Sequence, residues 1–225
     1  NVLIEKPIDI DLVKSKKFLK KFKTTNKIID IVSQNKFNPI IINFKNQIKL
    51  HNVSEPGFCN LKIFYNKNKN YFLQGNQWRK KYSNPIINQG IHWIDLINEI
   101  FGELKEFKSI NYKFNEFIEK EDNVLAILKY QNNKFVSISA STNIKNNKDY
   151  FTYHSSNYFF SYKKELYKYL LTRPYNYWKI KHSYLIFQQC KNFINNINLN
   201  RDQKSIESAV KNLELAEKLT KISNL

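Results

Sequence analysis

The segment from Asn88 to Phe101 constrains the fold most, because its pattern predicts a helix that is apolar around most of its circumference. Isoleucine, tryptophan, leucine and phenylalanine side chains recur at helical spacing on two adjacent stripes, and Gly102 follows as a typical C-terminal residue. Such a helix has to be buried on most sides. The chain must therefore supply a sheet or further helices that pack around it.

The remaining face of this helix carries four polar side chains, Asn88, His92, Asp95 and Glu99. Their spacing places them in one line along the helix. A polar stripe on so apolar a helix is either hydrogen-bonded inside the core or directed into a cleft. His92 is therefore either a core histidine held by Asp95 or part of a functional site, and the pattern alone leaves both open. A single histidine with two carboxylates at these steps is a weak metal pattern, and no metal is predicted.

Strand-like segments supply a layer against which this helix can pack. Val136, Ile138 and Ala140 alternate with serines, which is typical of a sheet with two unlike faces. Further strands are predicted at 62–65, about 106–117, 123–131, 134–144 and 149–162, with a loop at 66–77, a hairpin turn at 131–134, and helices from Pro39, at 177–195 and at 202–223. The sequence thus predicts an α+β fold, an open and mainly antiparallel sheet with helices on one face.

The first residues follow a different pattern, in which a helix separates two short strands. An apolar strand at Val2–Ile4 precedes a helix that starts near Asp9 or Asp11, either of which can cap it. A second apolar strand follows at about 27–33, and this order is typical of the end of a parallel α/β sheet. Ligands bind outside the carboxyl ends of such strands, which makes Lys6 a candidate site residue. A lone lysine at that place is more often solvated surface, and both interpretations stay open.

The composition excludes several functional classes. The sequence has 4 glycines, all far apart, so it contains neither a Walker loop nor a G-x-G-x-x-G fingerprint. Its 2 cysteines, Cys59 and Cys190, indicate neither a disulfide framework nor a zinc site. It has no run of the roughly 18 apolar residues that a membrane-spanning helix needs, and we expect a cytoplasmic protein.

The net charge of +18 suggests a nucleic-acid partner, but its distribution argues against one. Only 3 of the 37 basic residues are arginines, and the lysines are spread along the whole chain. Lysine, asparagine, isoleucine, tyrosine and phenylalanine all have AT-rich codons, so a biased base composition explains the charge. We therefore expect no nucleic-acid partner. Because the sequence begins at Asn1 and has no methionine, we also expect a fragment of a longer protein.

Two motifs resemble those of the Gfo/Idh/MocA family of NAD(P)-dependent sugar oxidoreductases. Glu5-Lys6-Pro7 after an apolar strand is similar to that family's EKP motif, and the segment 90–95 is similar to its helical G-x-H-x-x-D motif. Lesser similarities are the segment 34–39, the Trp78-Arg79 pair, the segment 121–123 and the closing helices from His182 onward. Together they span essentially the whole chain in the family's order.

This resemblance implies that residues 1–38 are the C-terminal remnant of an NAD(P)-binding Rossmann domain and that residues 39–225 form a substrate-binding and oligomerisation domain. It implies NAD or NADP as the cofactor, a sugar or nucleotide-sugar substrate, and a homodimer or homotetramer formed through the sheet. The implied catalytic residues are Lys6 and His92. The implied cofactor contacts are Glu5, Lys6, Pro7 and Lys36, and the implied substrate contacts are Asn35, Trp78, Arg79, Asn88 and Asp95.

The implied reaction passes hydride between a sugar hydroxyl and nicotinamide while a side chain accepts the hydroxyl proton. His92 suits the proton exchange, because imidazole titrates near neutral pH, and Lys6 would stabilise the developing alkoxide. The opposite assignment, with Lys6 as the base, stays open.

The substrate class is suggested by one departure from the family pattern. Inositol dehydrogenases of the family commonly have aspartate where Asn88 stands, whereas asparagine is familiar in nucleotide-sugar dehydrogenases of surface-polysaccharide synthesis. We therefore expect a UDP-N-acetylhexosamine or its uronate, oxidised at the 3-position. The alternative is a non-catalytic family member that retains the sheet for oligomer contacts and binding.

Overall fold

The computed structural model of the 225-residue chain describes residues 1–50, 55–145, 148–163, 182–199 and 205–221. Near the N-terminus, β1 (Val2–Ile4) and β2 (Ile29–Ile31) pair in parallel, with α1 (Leu12–Phe22) between them in the chain. Asp11 caps α1, because its carboxylate accepts hydrogen bonds from the backbone amides of the following turn. The predicted order of strand, helix and strand is confirmed, although the second strand is shorter than predicted.

A second, larger sheet contains six strands: β3 (Gly57–Phe64), β4 (Leu104–Tyr112), β5 (Asn123–Tyr130), β6 (Lys134–Ser141), β7 (Lys148–His154) and β8 (Phe159–Lys163). Their spatial order is β4-β5-β6-β3-β7-β8. The central β3–β6 pair is parallel and the other described pairs are antiparallel. Along β3, buried and exposed side chains alternate, so one face of the sheet is covered and the other is open.

Helices cover one face of this sheet, which confirms the predicted fold class. The described helices are α2 (Pro39–Leu50), α3 (Lys69–Leu73), α4 (Trp78–Tyr82), α5 (Ile91–Phe101), α6 (His182–Asn198) and α7 (Ser205–Leu219). The main core lies between the sheet and helices α2, α5 and α7. Within the described ranges, no helix combines the length and the apolar character that crossing a membrane requires.

Aromatic rings fill the space between the sheet and the helices. Phe44 of α2 stacks on Phe160 with ring centres 4.4 Å apart and meets Phe151 edge-on at 5.2 Å. Trp93 of α5 stacks on Phe151 with ring centres 5.8 Å apart. Burial of each large side chain contributes roughly 2–3 kcal/mol. This packing fixes α5, and with it the polar stripe of that helix, against the sheet.

The central helix begins later than predicted, because a π-helical turn at Ile86–Gly90 precedes α5. Asn84 stabilises this turn by accepting a hydrogen bond from the Ile87 amide at 2.7 Å. The turn approaches β3 closely at Gly90, where an added β-carbon would lie 3.1 Å from the end of the Ile63 side chain. Gly102 ends α5 at a φ of +83°, as its predicted role requires.

Other element bounds differ locally from the predictions. The predicted loop 66–77 contains α3, which Asn68 caps by accepting a hydrogen bond from the Tyr71 amide. The segment 149–162 is a hairpin of β7 and β8 and not one strand, since residues 155–158 form a turn. The hairpin turn at 131–134 is confirmed, with Asn133 at a φ of 57°. The predicted closing helices begin at His182 and Ser205; residues 177–181, 202–204 and 222–223 of those predictions lie outside the described residues.

The last helix, α7, packs against both sheets. Its first turns, with Ile206 and Val210, form an apolar cluster with Ile31 of β2. Its later turns, with Leu213 and Ala216, belong to the main core beneath the six-stranded sheet. Helix α7 therefore holds the β1–β2 pair against the rest of the molecule.

Candidate active site

Lys6 lies directly after β1, at the edge where β1 and β2 both end. Its peptide bond to Pro7 is cis, and its side chain is only 3% exposed. Its ammonium nitrogen lies 2.5 Å from Oδ2 of Asp95 and 3.4 Å from Oγ of Ser33, which follows β2. Parallel pairing brings the two strand ends together and so places Lys6 beside Ser33. This lysine is therefore a buried member of an ion pair and not solvated surface.

Asp95 of α5 is the common partner of the charged and polar groups at this edge. Its Oδ2 accepts a hydrogen bond from the Ser33 hydroxyl and lies 3.3 Å from the ammonium of Lys36, while its Oδ1 accepts a hydrogen bond from Asn212 of α7 at 2.8 Å. Burial raises the pKa of Asp95, but Lys6 and Lys36 outweigh burial and lower the pKa to about 2. Asp95 is therefore ionised at neutral pH.

The lowered pKa of Asp95 makes the free energy of unfolding of the protein depend on pH. The folded pKa of about 2 lies below the value of about 3.9 expected in an unfolded chain. The stabilisation is complete above about pH 4 and is lost as the pH falls through about 2. It amounts to roughly 2–3 kcal/mol. We expect the free energy of unfolding, measured by urea denaturation, to fall less steeply between pH 4 and pH 2 in Asp95→Asn than in the wild type. Equal slopes would contradict this assignment.

Lys6 and Lys36 flank the same carboxylate, but their environments differ. Burial lowers the pKa of Lys6, although Asp95 acts in the opposite direction. Burial also acts to lower the pKa of Lys36, but there Asp95 and Glu99 prevail and the pKa is raised. Lys36 lies 2.7 Å from Glu99, which also pairs with Lys45 of α2. Opposite charges therefore alternate from the buried Lys6 outward to the protein surface.

His92 lies one helical turn before Asp95 on α5 and is partly buried. Residues three apart on a helix are surface neighbours, with β-carbons about 5–6 Å apart. His92 therefore borders the edge at which Lys6 meets Asp95. Asn88 lies in the π-helical turn and not in α5, and its side-chain amide donates a hydrogen bond to the Ser83 hydroxyl.

The other residues predicted near the cofactor follow the two short strands. Glu5 is exposed and Pro7 partly buried, on either side of Lys6. Asn35 and Lys36 belong to a 3₁₀ turn, Gln34–Phe37, that begins directly after Ser33. The structure thus brings Lys36 to the Lys6–Asp95 pair and places Asn35 beside it in the chain. Their contacts with a cofactor or substrate stay predictions.

Trp78 and Arg79 lie on α4 in a second cluster. The guanidinium carbon of Arg79 is 4.6 Å from the Trp78 ring centre and 4.9 Å from that of Tyr71. The ammonium of Lys67 is 4.7 Å from the same Tyr71 ring. Aromatic faces with two cations suit a ligand that is planar at one end and anionic at the other. The roles of Trp78 and Arg79 in substrate binding stay predictions.

Sequence reasoning missed three polar residues of the site, namely Ser33, Gln189 and Asn212. Gln189 of α6 accepts a hydrogen bond from the Ser33 amide and donates one to Asp30, both at 3.0 Å, so it secures the end of β2. Ser33 follows an apolar strand, as Lys6 does, and the same argument about strand ends could have found it. Gln189 and Asn212 lie on amphipathic helices remote in sequence, and no sequence signal points to them.

A cavity of about 680 Å³ lies between the end of α5, β4 and α7. Asn98, Ser208 and Asn212 contribute to its lining. None of its described lining residues is one of the residues predicted to bind the cofactor or the substrate. The predicted residues thus gather at the strand edge and on α4, and this cavity is a separate feature.

A family model supports the interpretation of this architecture. The model of the GFO/IDH/MocA C-terminal domain matches residues 59–157. This range contains most of β3, all of β4 to β7 and helix α5, which carries His92 and Asp95. No curated protein matches the sequence.

Several solved structures share the fold over nearly the whole chain. The WlbA dehydrogenase from Bordetella pertussis, in complex with NADH and UDP-GlcNAcA, is 17% identical with a TM-score of 0.77, over 97% of this chain and 69% of that chain. The WlbA dehydrogenase from Chromobacterium violaceum, with the same two ligands, is 16% identical with a TM-score of 0.73, over 96% of this chain and 66% of that chain. The myo-inositol 2-dehydrogenase from Lactobacillus plantarum is 12% identical with a TM-score of 0.75, over 96% of this chain and 69% of that chain.

At these identities the likeness to the solved structures shows a common fold, and the chain spans about two thirds of the length of each. The family match adds sequence similarity over the large sheet and the helix at its centre. Residues 59–157, which hold most of the six-stranded sheet and helix α5, thus match the C-terminal domain of the Gfo/Idh/MocA family.

Proposed function

We propose that the protein, at its full native length, is an NAD(P)-dependent oxidoreductase that transfers hydride between a sugar hydroxyl and nicotinamide. The observation that carries this proposal is the buried Lys6–Asp95 ion pair at the carboxyl ends of β1 and β2, one helical turn from His92. Ligands of open α/β sheets bind at that edge. The match of residues 59–157 to the C-terminal domain of the Gfo/Idh/MocA family supports the same reaction class.

The residues present fit the nicotinamide end of such a cofactor. Two parallel strands end side by side and present a buried cation and a hydroxyl, Lys6 and Ser33, at the edge where a nucleotide would lie. Glu5, Lys6, Pro7 and Lys36 are the residues that we propose to hold NAD or NADP. When bound, the cofactor supplies the group that accepts or gives hydride.

We assign the proton transfer to His92 and the charge stabilisation to Lys6. Asp95 is ionised and lies 2.5 Å from Lys6, which favours the charged form of the lysine. A charged Lys6 would stabilise an alkoxide as it forms, and a neutral His92 would accept the hydroxyl proton. The buried position of Lys6 lowers its pKa and is the feature that would support the opposite assignment.

We propose a nucleotide sugar as the substrate, namely a UDP-N-acetylhexosamine or its uronate, oxidised at the 3-position during cytoplasmic synthesis of a surface polysaccharide. Two features support this class. Asn88, four residues before His92, is asparagine and not aspartate. The Trp78–Arg79 cluster offers aromatic rings and cations to an anionic nucleotide. Asn35, Trp78, Arg79, Asn88 and Asp95 are the proposed substrate-binding residues, with Asp95 acting through Lys6.

The proposal is tested by measuring reduced nicotinamide formed by the full-length protein. We expect turnover with UDP-N-acetylglucosamine or its uronate in the presence of NAD or NADP, and at least tenfold lower kcat/KM with myo-inositol. An Arg79→Met variant should lose affinity for the nucleotide sugar while its affinity for the cofactor is unchanged. A folded protein that reduces neither cofactor with any nucleotide sugar or free sugar would contradict the proposal.

The open face of the six-stranded sheet suggests how copies of the chain associate. Leu125 and Ile127 of β5 are 57% and 59% exposed, and Phe58 of β3 stacks on Phe135 of β6 at the same face. These apolar side chains alternate with those that enter the core. We propose that a second copy of the chain covers this face and that the protein is a homodimer or homotetramer.

Placing two lysines on this face, as Leu125→Lys/Ile127→Lys, is expected to convert the oligomer into a monomer, since the charges would be buried at the interface. Light scattering coupled to size exclusion measures the mass directly. Val13→Lys is the matched control, because Val13 is equally exposed, at 62%, but lies on α1. A monomeric wild type, or an oligomeric double variant, would contradict the proposed interface.

A further inference from the structure

A series of buried and partly buried side-chain hydrogen bonds leads from the six-stranded sheet to Asp95. It begins at Tyr130 of β5, whose hydroxyl donates to Oδ1 of Asn98 on α5 at 2.6 Å. Asn98 donates from Nδ2 to Oδ1 of Asn212 on α7 at 2.8 Å. Asn212 donates in turn from Nδ2 to Oδ1 of Asp95 at 2.8 Å. Three elements of the fold are thus linked to the carboxylate that pairs with Lys6.

The direction of these hydrogen bonds is determined by the last member, Asp95. An ionised carboxylate can only accept hydrogen bonds, so the amino group of Asn212 must face Asp95 and its oxygen must face the amino group of Asn98. The oxygen of Asn98 therefore faces the hydroxyl of Tyr130. Burial raises the pKa of Tyr130 well above its ordinary value, so this hydroxyl keeps the proton that it donates. Reversing either amide would set like groups against each other inside the protein.

This series of hydrogen bonds ends at the oxygen of Asp95 that does not contact Lys6. Oδ1 accepts hydrogen bonds from Asn212 and, at 3.4 Å, from the hydroxyl of Ser208. Oδ2 pairs with the ammonium groups of Lys6 and Lys36 and accepts a hydrogen bond from Ser33. Asn212 is only 2% exposed, so no bulk water competes for this bond. A carboxylate anchored at one oxygen loses the freedom to rotate, and its other oxygen stays directed at the lysine.

We propose that Asn212 is a positioning residue for Lys6, which it holds in place by donating a hydrogen bond to Oδ1 of Asp95. Tyr130 and Asn98 act further along the same chain by fixing the orientation of the Asn212 amide. The inference rests on the proposed role of Lys6 in hydride transfer. It adds three residues of the sheet and of helices α5 and α7 to the machinery of that site.

The test uses the full-length protein with three variants, Asn212→Leu, Tyr130→Phe and Tyr153→Phe. Asn212→Leu keeps the volume of the side chain and removes its hydrogen bonds with Asn98, Asp95 and Ser208. Tyr130→Phe removes only the first proton of the chain and is the milder change. Tyr153→Phe is the matched control, because Tyr153 is as buried as Tyr130 and belongs to the same sheet, but its hydroxyl is not a member of the chain.

The first readout is the pKa of Asp95. Carbon NMR of the Asp95 carboxyl group measures it as the pH is lowered, and this measurement needs no substrate. The charged groups that face this carboxylate are Lys6 and Lys36, and all three variants retain them. Loss of a donor disfavours the charged carboxylate, so we expect its pKa to rise by about one pH unit in Asn212→Leu. We expect a smaller rise in Tyr130→Phe and none in Tyr153→Phe.

The second readout is turnover. We expect kcat to fall about tenfold in Asn212→Leu and about threefold in Tyr130→Phe, with KM for cofactor and sugar unchanged and Tyr153→Phe equal to the wild type. Wild-type ionisation of Asp95 in both Asn212→Leu and Tyr130→Phe would overturn the proposal, as would equal effects of Tyr130→Phe and Tyr153→Phe. A changed ionisation in a protein with no dehydrogenase activity would support the hydrogen-bond chain and contradict the proposed function instead.

Discussion

Replacing Lys6 with methionine is expected to lower the free energy of unfolding by about 3 kcal/mol and to reduce turnover by roughly 100- to 1,000-fold. The first effect arises because the Asp95 carboxylate stays buried after its nearest cation has gone. The second arises because the reacting oxygen loses the cation that would stabilise its negative charge. Urea denaturation at pH 7 measures the first effect, and steady-state kinetics of the full-length protein measures the second.

Two further variants separate these effects. Lys36→Met removes the second lysine that faces Asp95, but that side chain is 31% exposed and lies farther away, so smaller losses of stability and turnover are expected. The double variant Lys6→Met/Asp95→Leu removes both buried charges and should regain most of the stability without regaining turnover. A Lys6→Met protein as stable as the wild type would show that the pair contributes nothing to folding. A double variant with restored turnover would remove Lys6 from the mechanism.

Replacing His92 with alanine is expected to reduce kcat by roughly 100- to 10,000-fold, the range typical of a lost general base or acid. The affinity for the nicotinamide cofactor should stay within about twofold, because the proposed cofactor contacts lie on the segments that follow β1 and β2. Steady-state kinetics together with a fluorescence titration of the reduced cofactor distinguishes the two quantities. His154→Ala is the matched control, since His154 lies exposed on β7 of the sheet. Unchanged turnover in His92→Ala would contradict the assignment of the proton transfer to His92.

The fold was largely predictable because its signals are local. Alternation along β6 predicts a sheet with one covered face, and the apolar circumference of the helix ending at Gly102 predicts the burial of α5. The elements that the sequence did not predict also have local causes. Helix α3 has only five residues, too few to show a helical period, and the π-helical turn at Ile86–Gly90 depends on a side-chain cap and a close approach to β3.

The candidate site was predictable only in part, because its defining contacts join residues remote in the chain. Helical spacing places Asp95 beside His92, and the strand-end argument singles out Lys6, but neither signal shows that Lys6 and Asp95 meet. That contact depends on the packing of α5 between the six-stranded sheet and α7. The hydrogen bonds of Asn212 and Gln189 depend on two helices near the C-terminus, whose amphipathic pattern predicts burial of a face but not which polar residue will find a partner.

The position of α7 has a consequence for the order in which the protein is completed during translation. Lys6 leaves the ribosome before α5, and α7 emerges after every other described element. Until α7 docks, β1 and β2 lack the apolar cover of Ile206 and Val210, and Asp95 lacks the bond from Asn212. The edge that carries Lys6 and Asp95 is therefore completed only after α7 has emerged. A product that ends before α7 would expose both the apolar strands and a buried charge pair, which are the features by which chaperones and proteases recognise incomplete chains.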